Sequence, residues 1–342
     1  MFLTFAIKIK KSRLHNLKME DIATIKRPIE GELQEFIRLF EASLSNHDGM
    51  LGDVLSHILR SGGKYMRPML VLLVAKNYSE VSSVTLNGAI GLELLHTASL
   101  VHDDVVDEST ERRGQASANA LFNNKVSILV GDYILSTALL YVSKTRNTRI
   151  VEYLAELGRT LSHGEIDQLA NLSSKNISEE EYFKVIRMKT AALFSACAKI
   201  GALSAEATEE EIAEAEAFGD TLGTIFQIRD DIFDYFSSKE IGKPTGNDMA
   251  EGKLTLPVIH AVSASGNKEM EQLALAVRAR SISPEGISRL VEFTKQQGGI
   301  AYAEQKMEEL KDKAVQYIEK CRNEEIKSAL RAYLDYIIER SY

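Results

Sequence analysis

Two acidic runs with the same spacing constrain this chain more than any other feature of its sequence. Each has aspartates at positions i, i+1 and i+4 inside an otherwise apolar segment, which we interpret as a helix. The six aspartates are Asp103, Asp104 and Asp107, and Asp230, Asp231 and Asp234. At about 3.6 residues per turn, the first and last aspartate of each run share one helix face. Carboxylates held so close repel one another unless a cation lies between them, and hard divalent cations such as Mg²⁺ are commonly shared between carboxylates and phosphates.

Basic residues follow each acidic run. Arg112 and Arg113 come after the first run, and Lys243 and Lys253 lie in the loop 237–253 after the second. Guanidinium groups match phosphate oxygens in geometry and charge. A single acidic helix face is usually just solvated, but two copies, each followed by basic residues, predict a site for a diphosphate. The runs are about 127 positions apart, so the fold must bring them face to face if they share metal ions.

The rest of the chain favours helices. Segments rich in Ala, Leu, Glu and Lys dominate, and the 342 residues include only 5 prolines and no tryptophan. Helices are predicted at 20–48, 50–60, 68–78, 86–106, 123–143, 149–172, 178–205 and 209–236, with further helices in 254–342. The loop 237–253, rich in Gly, Ser and Lys, is predicted to be a mobile lid. No linker separates two halves, so residues 19–342 are predicted to form a single all-α domain around a central cavity. Residues 1–18 are expected to be a disordered tail or an upstream extension of the start.

A glycine pair between two predicted helices precedes further basic residues. Lys64 and Arg67 follow Gly62-Gly63, and Pro68 suits the first turn of the next helix. A helix N-terminus attracts phosphate through its free N–H groups and partial positive charge, and glycines allow the backbone to approach a ligand closely. The alternative is an ordinary turn with two solvated basic residues. Beside the acidic runs, we favour phosphate binding.

Several polar residues lie within apolar segments. His96 is two turns before Asp103 on the same face, and taken alone it is more often a core histidine whose hydrogen bonds are satisfied. Lys189 needs an anion or an outlet to solvent, and a diphosphate is the natural anion here. Asp132 is expected to be buried, paired and structural, because an isolated buried charge is costly. The role of His102 stays open. Zinc is not expected, because no His/Cys set has ligand spacing.

These motifs together resemble those of the trans-type polyprenyl diphosphate synthases. The resemblance runs from about Glu41 to the C-terminus. Its matching elements are Gly62 to Pro68, the first acidic run with Arg112-Arg113-Gly114, Gly131-Asp132, Lys189-Thr190, and the second acidic run with Lys243 and Lys253. The amino-acid sequence around the first run is most similar to that of the long-chain members, such as octaprenyl diphosphate synthases. The resemblance implies a helical bundle of the class I isoprenoid synthase type, normally a homodimer.

The resemblance also implies a reaction and a set of site residues. An allylic diphosphate, expected to be farnesyl diphosphate, would bind through about two to three Mg²⁺ ions, with Mn²⁺ as an alternative metal. The ligands implied are Asp103, Asp107 and Asp230, with Asp104, Asp231 and Asp234 either as further ligands or as residues that support the ligands. The allylic diphosphate would contact Arg112, Lys189, Lys243 and Lys253, and isopentenyl diphosphate would contact Lys64, Arg67, His96 and Arg113. Thr190 and Gln227 would present oxygen dipoles to the allylic cation. Released diphosphate would remove the proton.

Two small residues bear on product length. Ala98 and Ser99 lie five and four residues before Asp103, on the expected cavity face, where a bulky aromatic residue would close the cavity early. We therefore predict a product longer than those of short-chain relatives, with about eight isoprene units as the central estimate, for quinone side-chain biosynthesis. The alternative is that these small residues merely allow close helix packing.

Composition excludes some classes of partner. A net charge of −8 argues against nucleic acid, which needs a basic face. Cys197 and Cys321 do not make a disulfide framework, which fits a reducing, cytoplasmic compartment. No transmembrane helix is expected, because no segment reaches about 18 uncharged apolar residues.

Three other functions compete with a long-chain synthase. A class I terpene cyclase usually lacks the glycine-lysine-arginine element and a second full aspartate motif. A non-catalytic subunit of a heteromeric synthase should have lost one aspartate motif, and this chain has both. A short-chain farnesyl or geranylgeranyl diphosphate synthase would keep every motif and differ in product length.

Overall fold

The computed structural model of the chain describes residues 21–45, 48–171, 177–236 and 245–339, and almost all of their regular structure is helical. The predicted all-α class is therefore confirmed. The first half contains α1 (21–26), a 3₁₀ turn (Arg27–Ile29), α2 (Glu30–Leu44), α3 (Gly49–Arg60), α4 (Met66–Tyr78), α5 (Ser83–Val106), α6 (Ala118–Phe122), α7 (Asn124–Lys144) and α8 (Thr148–Asn171). The second half contains α9 (Glu179–Ile186), a π-helical segment (Arg187–Ala191), α10 (Ala192–Ser204), α11 (Glu209–Phe233), α12 (Asn247–Ala250), α13 (Leu256–Ser265), α14 (Lys268–Arg278), α15 (Pro284–Gln296), α16 (Gly299–Glu319) and α17 (Glu324–Glu339).

The structure differs from the predicted helices in several places, and α6 and α12 were not predicted. The helix predicted at 20–48 is interrupted by the 3₁₀ turn, and the one at 178–205 contains the π-helical segment. An antiparallel hairpin, in which β1 (Glu111–Arg112) pairs with β2 (Gln115–Ala116), was not predicted. The predicted lid lies partly outside the described residues, because these omit 237–244. Residues 245–253 contain α12, and the mobility of the lid stays a prediction. The single-domain boundary at residue 19 stays a prediction.

Side-chain caps fix where the two helices that carry the acidic runs begin. At α5, the Ser82 hydroxyl accepts the Thr85 N–H and the Thr85 side chain accepts the Ser82 N–H. At α11, Thr208 and Glu211 form the same reciprocal pair. Each capping box satisfies backbone donors that no preceding turn can satisfy.

The main core forms around α5, which packs against α4, α7, α8 and α10. Close approach requires glycine at two points of α5. A Cβ on Gly91 would lie 2.3 Å from Val142 Cγ2 of α7, and one on Gly88 would lie 2.8 Å from Ile200 Cγ2 of α10. The first acidic run therefore ends a helix that is buried along most of its length. A second, smaller core joins α12, α13, α14 and α15 beside the end of α11.

Two helices, α5 and α7, are long and apolar enough to cross a bilayer when judged by length and composition alone. This is weak evidence for a membrane span, because a core helix of a globular fold passes the same test. The two helices pack extensively against each other, and α5 is mostly buried.

Candidate active site

The first aspartate motif lies at the C-terminal end of α5, where its three members have different environments. Asp104 is buried, with 3% of its surface exposed, whereas Asp103 is half-buried and Asp107 is exposed. The hairpin after α5 turns Arg112 back, so that its Nε donates to Asp104 Oδ1 at 2.7 Å and its Nη2 lies 2.7 Å from the same oxygen. A buried carboxylate is thus paired with a guanidinium in two-point contact, which compensates its loss of solvation.

Asp103 lies close to charged groups from other helices. Its burial, together with the negative charges of Glu165 on α8 and of Asp107, raises the pKa of Asp103 to about 6, against the opposing charge of Lys189. The cluster therefore holds more negative than positive charge, and a divalent cation would favour the ionised form of Asp103.

The second motif lies at the end of α11, and neutral groups hold its middle aspartate. Asp231 is buried; it accepts the Tyr182 hydroxyl at 2.6 Å and the Gln227 amide at 2.8 Å. The Thr190 hydroxyl donates to Gln227 Oε1 at 2.7 Å, which completes a chain of hydrogen bonds from Thr190 to Asp231. Burial and the nearby charge of Asp248 raise the pKa of Asp231 well above its usual value.

Lys189 and Thr190 lie in the π-helical segment. Two glycines admit this segment between neighbouring helices: a Cβ on Gly164 of α8 would lie 2.9 Å from Met188 Cβ, and one on Gly223 of α11 would lie 2.5 Å from Ala191 Cα. Single π-helical turns are frequent at functional sites. Lys189 forms a 2.5 Å ion pair with Glu165 and donates to Gln168 Oε1 at 2.9 Å. The protein therefore supplies an anion for Lys189, which was expected to come from the ligand.

The second motif borders a cavity. Its lining comes from the π-helical segment, α11, α12 and the segment after α12, and includes Lys189, Thr190, Gln227, Asp231, Asp248 and Lys253. Burial by itself lowers the pKa of Lys253, but its hydrogen bond to Glu251 and the charges of Glu251, Asp248 and Asp107 raise it overall. The charge of Lys189 lowers the pKa of Asp103, and the charge of Asp107 raises the pKa of Lys253, so each lysine interacts electrostatically with a carboxylate of the first motif. The predicted contact residue Lys243 lies outside the described residues.

A separate basic pocket is lined by Lys64, Arg67, Glu93, Arg113, Phe194, Phe226 and Phe233, among others. Glu93 and Arg113 also line an adjoining cavity, which contains His96, Asp104 and Arg112. Arg67 Nε and His96 Nδ1 are buried and have no hydrogen-bond partner among the described residues. Burial and the charges of Arg67, Arg113 and Arg112 hold the pKa of His96 well below its usual value, so its ring is neutral at neutral pH. Burial raises the pKa of Glu93, although the charges of Arg67 and Arg113 act in the opposite direction.

The glycine pair at this pocket does not adopt the left-handed conformation. The left-handed residue of the turn is Tyr65, with φ of 53°, and neither glycine has a positive φ. Gly63 lies close to Arg113, since a Cβ there would lie 3.3 Å from Arg113 Nη1. The expected close approach of the glycine backbone to a ligand stays a prediction. Lys64 Nζ donates to the Tyr336 hydroxyl at 3.0 Å, so α17 closes the pocket.

His102 and Asp132 contact each other between α5 and α7. His102 Nε2 lies 3.4 Å from Asp132 Oδ1, and a Cβ on Gly131 would lie 2.3 Å from the same nitrogen. The prediction that Asp132 is paired is confirmed. The prediction that it is buried is wrong, since 61% of its side chain is exposed because it lies on the outward side of α7.

The two residues predicted to set chain length are adjacent in α5 but lie on different faces of the helix. Ala98 is buried, and the helical period places it on the same stripe as Gly91 and His102, both of which contact α7. Ser99 is half-buried, and its hydroxyl donates to the His96 carbonyl at 2.9 Å. Their predicted role stays a prediction.

The donor chemistry of the two motifs fits hard divalent cations, since it consists of carboxylate oxygens around Asp103 that carry an excess of negative charge. Within residues 21–45, 48–171, 177–236 and 245–339, no three acidic, His or Cys side chains converge closely enough to form a complete metal site. The described protein groups therefore supply only part of a coordination shell. Waters and substrate phosphate oxygens commonly complete such a shell for Mg²⁺.

Comparison with known proteins identifies the family. The family model described as polyprenyl synthetase matches residues 48–293, which is more than half of the chain. The chain belongs to the polyprenyl synthetase family. This polyprenyl synthetase is accordingly a trans-prenyltransferase. It is 34% identical over 330 residues to the octaprenyl diphosphate synthase of Haemophilus influenzae, a match that covers 95% of this chain and 100% of that protein.

Two solved structures share the fold of this polyprenyl synthetase. A geranylgeranyl pyrophosphate synthase from Bacteroides thetaiotaomicron is 48% identical, with a TM-score of 0.83, over 94% of this chain and 100% of that one. A decaprenyl diphosphate synthase from Rhodobacter capsulatus is 33% identical, with a TM-score of 0.85, over 93% of this chain and 99% of that one. The resemblance stated from the motifs and the helical-bundle fold are both confirmed.

Sequence reasoning missed several residues at the site. Glu165 and Gln168 hold Lys189, Tyr182 holds Asp231, and Asp248 adds a carboxylate beside the second motif. Tyr336 comes from a C-terminal region in which no motif was found. The one available signal was the run Gly164 to Gln168, whose charged and polar residues interrupt a helix near the expected cavity.

Proposed function

We propose that this polyprenyl synthetase is a Mg²⁺-dependent enzyme that extends an allylic diphosphate with isopentenyl diphosphate to a long all-trans polyprenyl diphosphate. We infer a product of about eight isoprene units, the length named for the octaprenyl relative, for use as a quinone side chain. The observation that carries the proposal is the presence of two cavities lined by cations. One lies beside the second aspartate motif and contains Lys189 and Lys253, and the other contains Lys64, Arg67 and Arg113.

The allylic diphosphate is assigned to the cavity beside the aspartate motifs. Arg112 pairs with Asp104, and Lys189 and Lys253 interact electrostatically with Asp103 and Asp107, so these three cations are assigned to the diphosphate. Lys243 is assigned to the same ligand from the sequence alone. Asp103, Asp107 and Asp230 would hold Mg²⁺. When bound, the metal would act as a Lewis acid and stabilise the charge of the departing diphosphate.

Isopentenyl diphosphate is assigned to the basic pocket and to the adjoining cavity that His96 lines, where it would contact Lys64, Arg67, His96 and Arg113. The unsatisfied Arg67 Nε and His96 Nδ1 support this assignment, because buried polar atoms without partners are costly unless a ligand satisfies them. Neutral His96 adds no charge to the two neighbouring arginines, so it can donate a hydrogen bond without repelling them.

The chemistry requires positioning and charge stabilisation. The allylic C–O bond breaks, the isopentenyl double bond forms the new C–C bond, and a proton leaves. The Thr190 oxygen and the Gln227 carbonyl oxygen present negative ends of dipoles near the developing cation, and their mutual hydrogen bond holds both in place. The released diphosphate removes the proton, which agrees with an assignment in which no side chain acts as the base.

Incubation of purified protein with Mg²⁺, farnesyl diphosphate and excess labelled isopentenyl diphosphate tests the proposal, with products separated by chain length. A ladder that ends near octaprenyl supports it. A stop at geranylgeranyl, which the name of the 48% identical structure favours, retains the enzyme class and refutes the long product. No incorporation would favour a non-catalytic subunit or a cyclase. Ala98→Tyr should shorten the product, whereas the conservative variant Ala98→Ser should leave it unchanged.

We also propose that the protein is a cytoplasmic homodimer. Ile128, Leu129, Leu139 and Leu140 form an exposed apolar stripe along α7, and Leu129 is 69% exposed. Exposed apolar patches of this kind mark protein interaction surfaces. Light scattering should give the mass of a dimer, and Leu140→Glu should reduce it to that of one chain. Met50→Glu changes an equally exposed apolar residue away from the stripe and should leave the dimer intact.

A further inference from the structure

Asp234, the last aspartate of the second motif, contacts backbone N–H groups beyond its own helix. Its Oδ1 accepts the Asn247 N–H at 2.9 Å, and its Oδ2 accepts the Asp248 N–H at 3.2 Å. Its carbonyl accepts the Gly246 N–H at 2.9 Å. The first N–H groups of a helix have no acceptor within that helix, so a carboxylate that accepts two of them fixes where the helix begins.

The segment that Asp234 holds has little freedom to move elsewhere. Gly246 has φ of +82°, and a Cβ there would lie 2.4 Å from Ile287 Cγ2 of α15. Met249 is buried in the second core. At the other end of the segment, Arg280 Nε donates to the Glu251 carbonyl at 3.2 Å. Contacts with the rest of the protein therefore hold residues 246–251 at both ends and in the middle.

The position of Lys253 follows from these contacts. Asp248, whose N–H donates to Asp234, accepts the Lys253 N–H on its carbonyl oxygen at 2.8 Å. One residue thus links Asp234 directly to Lys253. The Lys253 ammonium donates to Glu251 Oε2 at 2.6 Å, and Lys253 lines the cavity beside the second motif. Asp234 therefore fixes, through Asp248, the backbone that carries a cation of this cavity.

We propose that Asp234 is a positioning residue whose carboxylate ties α12 to the end of α11 and thereby places Lys253 at the mouth of the cavity. This revises the expectation that Asp234 is a metal ligand, because both of its oxygens accept backbone N–H groups. The role of Lys253 toward a diphosphate rests on the proposed function.

Amide hydrogen exchange at Asn247 and Asp248 in the metal-free protein tests the contact itself. In Asp234→Ala, exchange at both amides should accelerate by about tenfold, the fold-change typical of losing a helix cap. Asp234→Asn retains one acceptor oxygen and should give a smaller change. Asn267→Ala is the matched control, because Asn267 accepts the Glu269 and Met270 N–H groups of α14 in the same way, away from the cavity. Unchanged exchange in Asp234→Ala would overturn the proposal.

A double-mutant cycle tests the consequence for the site. Asp234→Ala and Lys253→Ala should raise KM for farnesyl diphosphate by similar factors, and the double variant should lie within about twofold of Lys253→Ala. Mn²⁺ binding to the resting protein should be equal in Asp234→Ala and the parent. Effects on KM that multiply in the double variant, or a loss of Mn²⁺ binding in Asp234→Ala, would identify Asp234 as a metal ligand. If the protein makes no polyprenyl product, the proposed function fails, but the hydrogen-exchange result still decides whether Asp234 holds α12.

Discussion

The two aspartate motifs have the same spacing, but the protein holds their middle aspartates with different chemistry. Asp104 in the first motif is paired with the guanidinium of Arg112. Asp231 in the second motif accepts hydrogen bonds from two neutral groups, Tyr182 and Gln227. The first motif is therefore partly neutralised by its own hairpin. The second gains a further carboxylate, Asp248, and burial and that charge raise the pKa of Asp231.

The last aspartates of the two motifs also differ. Asp107 is exposed at the end of α5, whereas Asp234 turns back onto the N–H groups of α12. The cause is the element that follows each helix: a hairpin follows α5, and a short helix with free N–H groups follows α11. Spacing thus determines the helix face on which an aspartate lies, and the following element determines what it binds. The first aspartates of the two motifs, Asp103 and Asp230, have the same assigned role, since each is proposed to bind Mg²⁺.

The largest expected effect is on the first aspartates. Asp103→Ala and Asp230→Ala should each lower kcat by about 10²–10³-fold, because each removes charge stabilisation of the departing diphosphate. Asp234→Ala should lower it far less. Steady-state assays with saturating farnesyl diphosphate measure these values, and Asp312→Ala, at an exposed aspartate on α16, is the control. Turnover within a few-fold of the parent in either of the first two variants would show that the metal assignment is wrong.

The next effect concerns the ion pair of the first motif. Arg112→Ala leaves the buried Asp104 carboxylate without its cation and should lower the free energy of unfolding by about 3 kcal/mol. Adding Asp104→Asn removes the uncompensated charge and should restore part of that loss. Urea denaturation measures both variants. If the double variant is no more stable than Arg112→Ala, the pair is not the source of the loss.

The acidic surroundings of the second motif predict a dependence of stability on pH. Burial, followed by the charge of Asp234, raises the pKa of Asp248 to about 6, so the folded protein binds this proton more tightly than the unfolded chain does. The resulting stabilisation is complete below about pH 4 and is lost as the pH rises through about 6. Without divalent cations, Asp248→Asn should therefore exceed the parent in stability by about 2 kcal/mol at pH 8 and match it near pH 4. Equal stability of the two proteins at pH 8 would refute this electrostatic description.

The smallest effect is expected from the neutral donor of the second motif. Tyr182→Phe removes one hydrogen bond to Asp231 but leaves the one from Gln227, and it should cost about 1 kcal/mol in unfolding free energy. It should therefore destabilise less than Arg112→Ala does. A larger loss of unfolding free energy in Tyr182→Phe than in Arg112→Ala would contradict this difference between the two motifs.

The helices and the convergence of polar residues on one region could be predicted from the sequence because their signals are local. Apolar periodicity and the Thr208–Glu211 capping box mark the helix that carries the second motif, and every predicted helix from 50–60 to 209–236 is present with ends shifted by at most three residues. Basic residues close behind each acidic run likewise indicated an anion site. Such patterns depend on neighbours within a few positions.

The partners of these residues could not be predicted, because they depend on packing between distant segments. The π-helical segment requires Gly164 and Gly223 from two other helices to admit it, and nothing within Arg187–Ala191 signals that space. The pairing of Lys189 with Glu165 follows from the same packing. Lys64 meets Tyr336 across 272 positions of chain. Asp132 was expected to be buried because its neighbours are apolar, but many of those neighbours form the exposed stripe of α7.

A crystal structure with Mg²⁺ and a non-reactive thio-diphosphate analogue of farnesyl diphosphate tests most directly which of the six aspartates bind metal ions and which contact protein groups. The metal ions should be bound by Asp103, Asp107 and Asp230. Asp104 should keep its contact with Arg112, Asp231 its contact with Tyr182, and Asp234 its contacts with the N–H groups of α12. Coordination of a metal by Asp234, with those N–H contacts broken, would contradict the account.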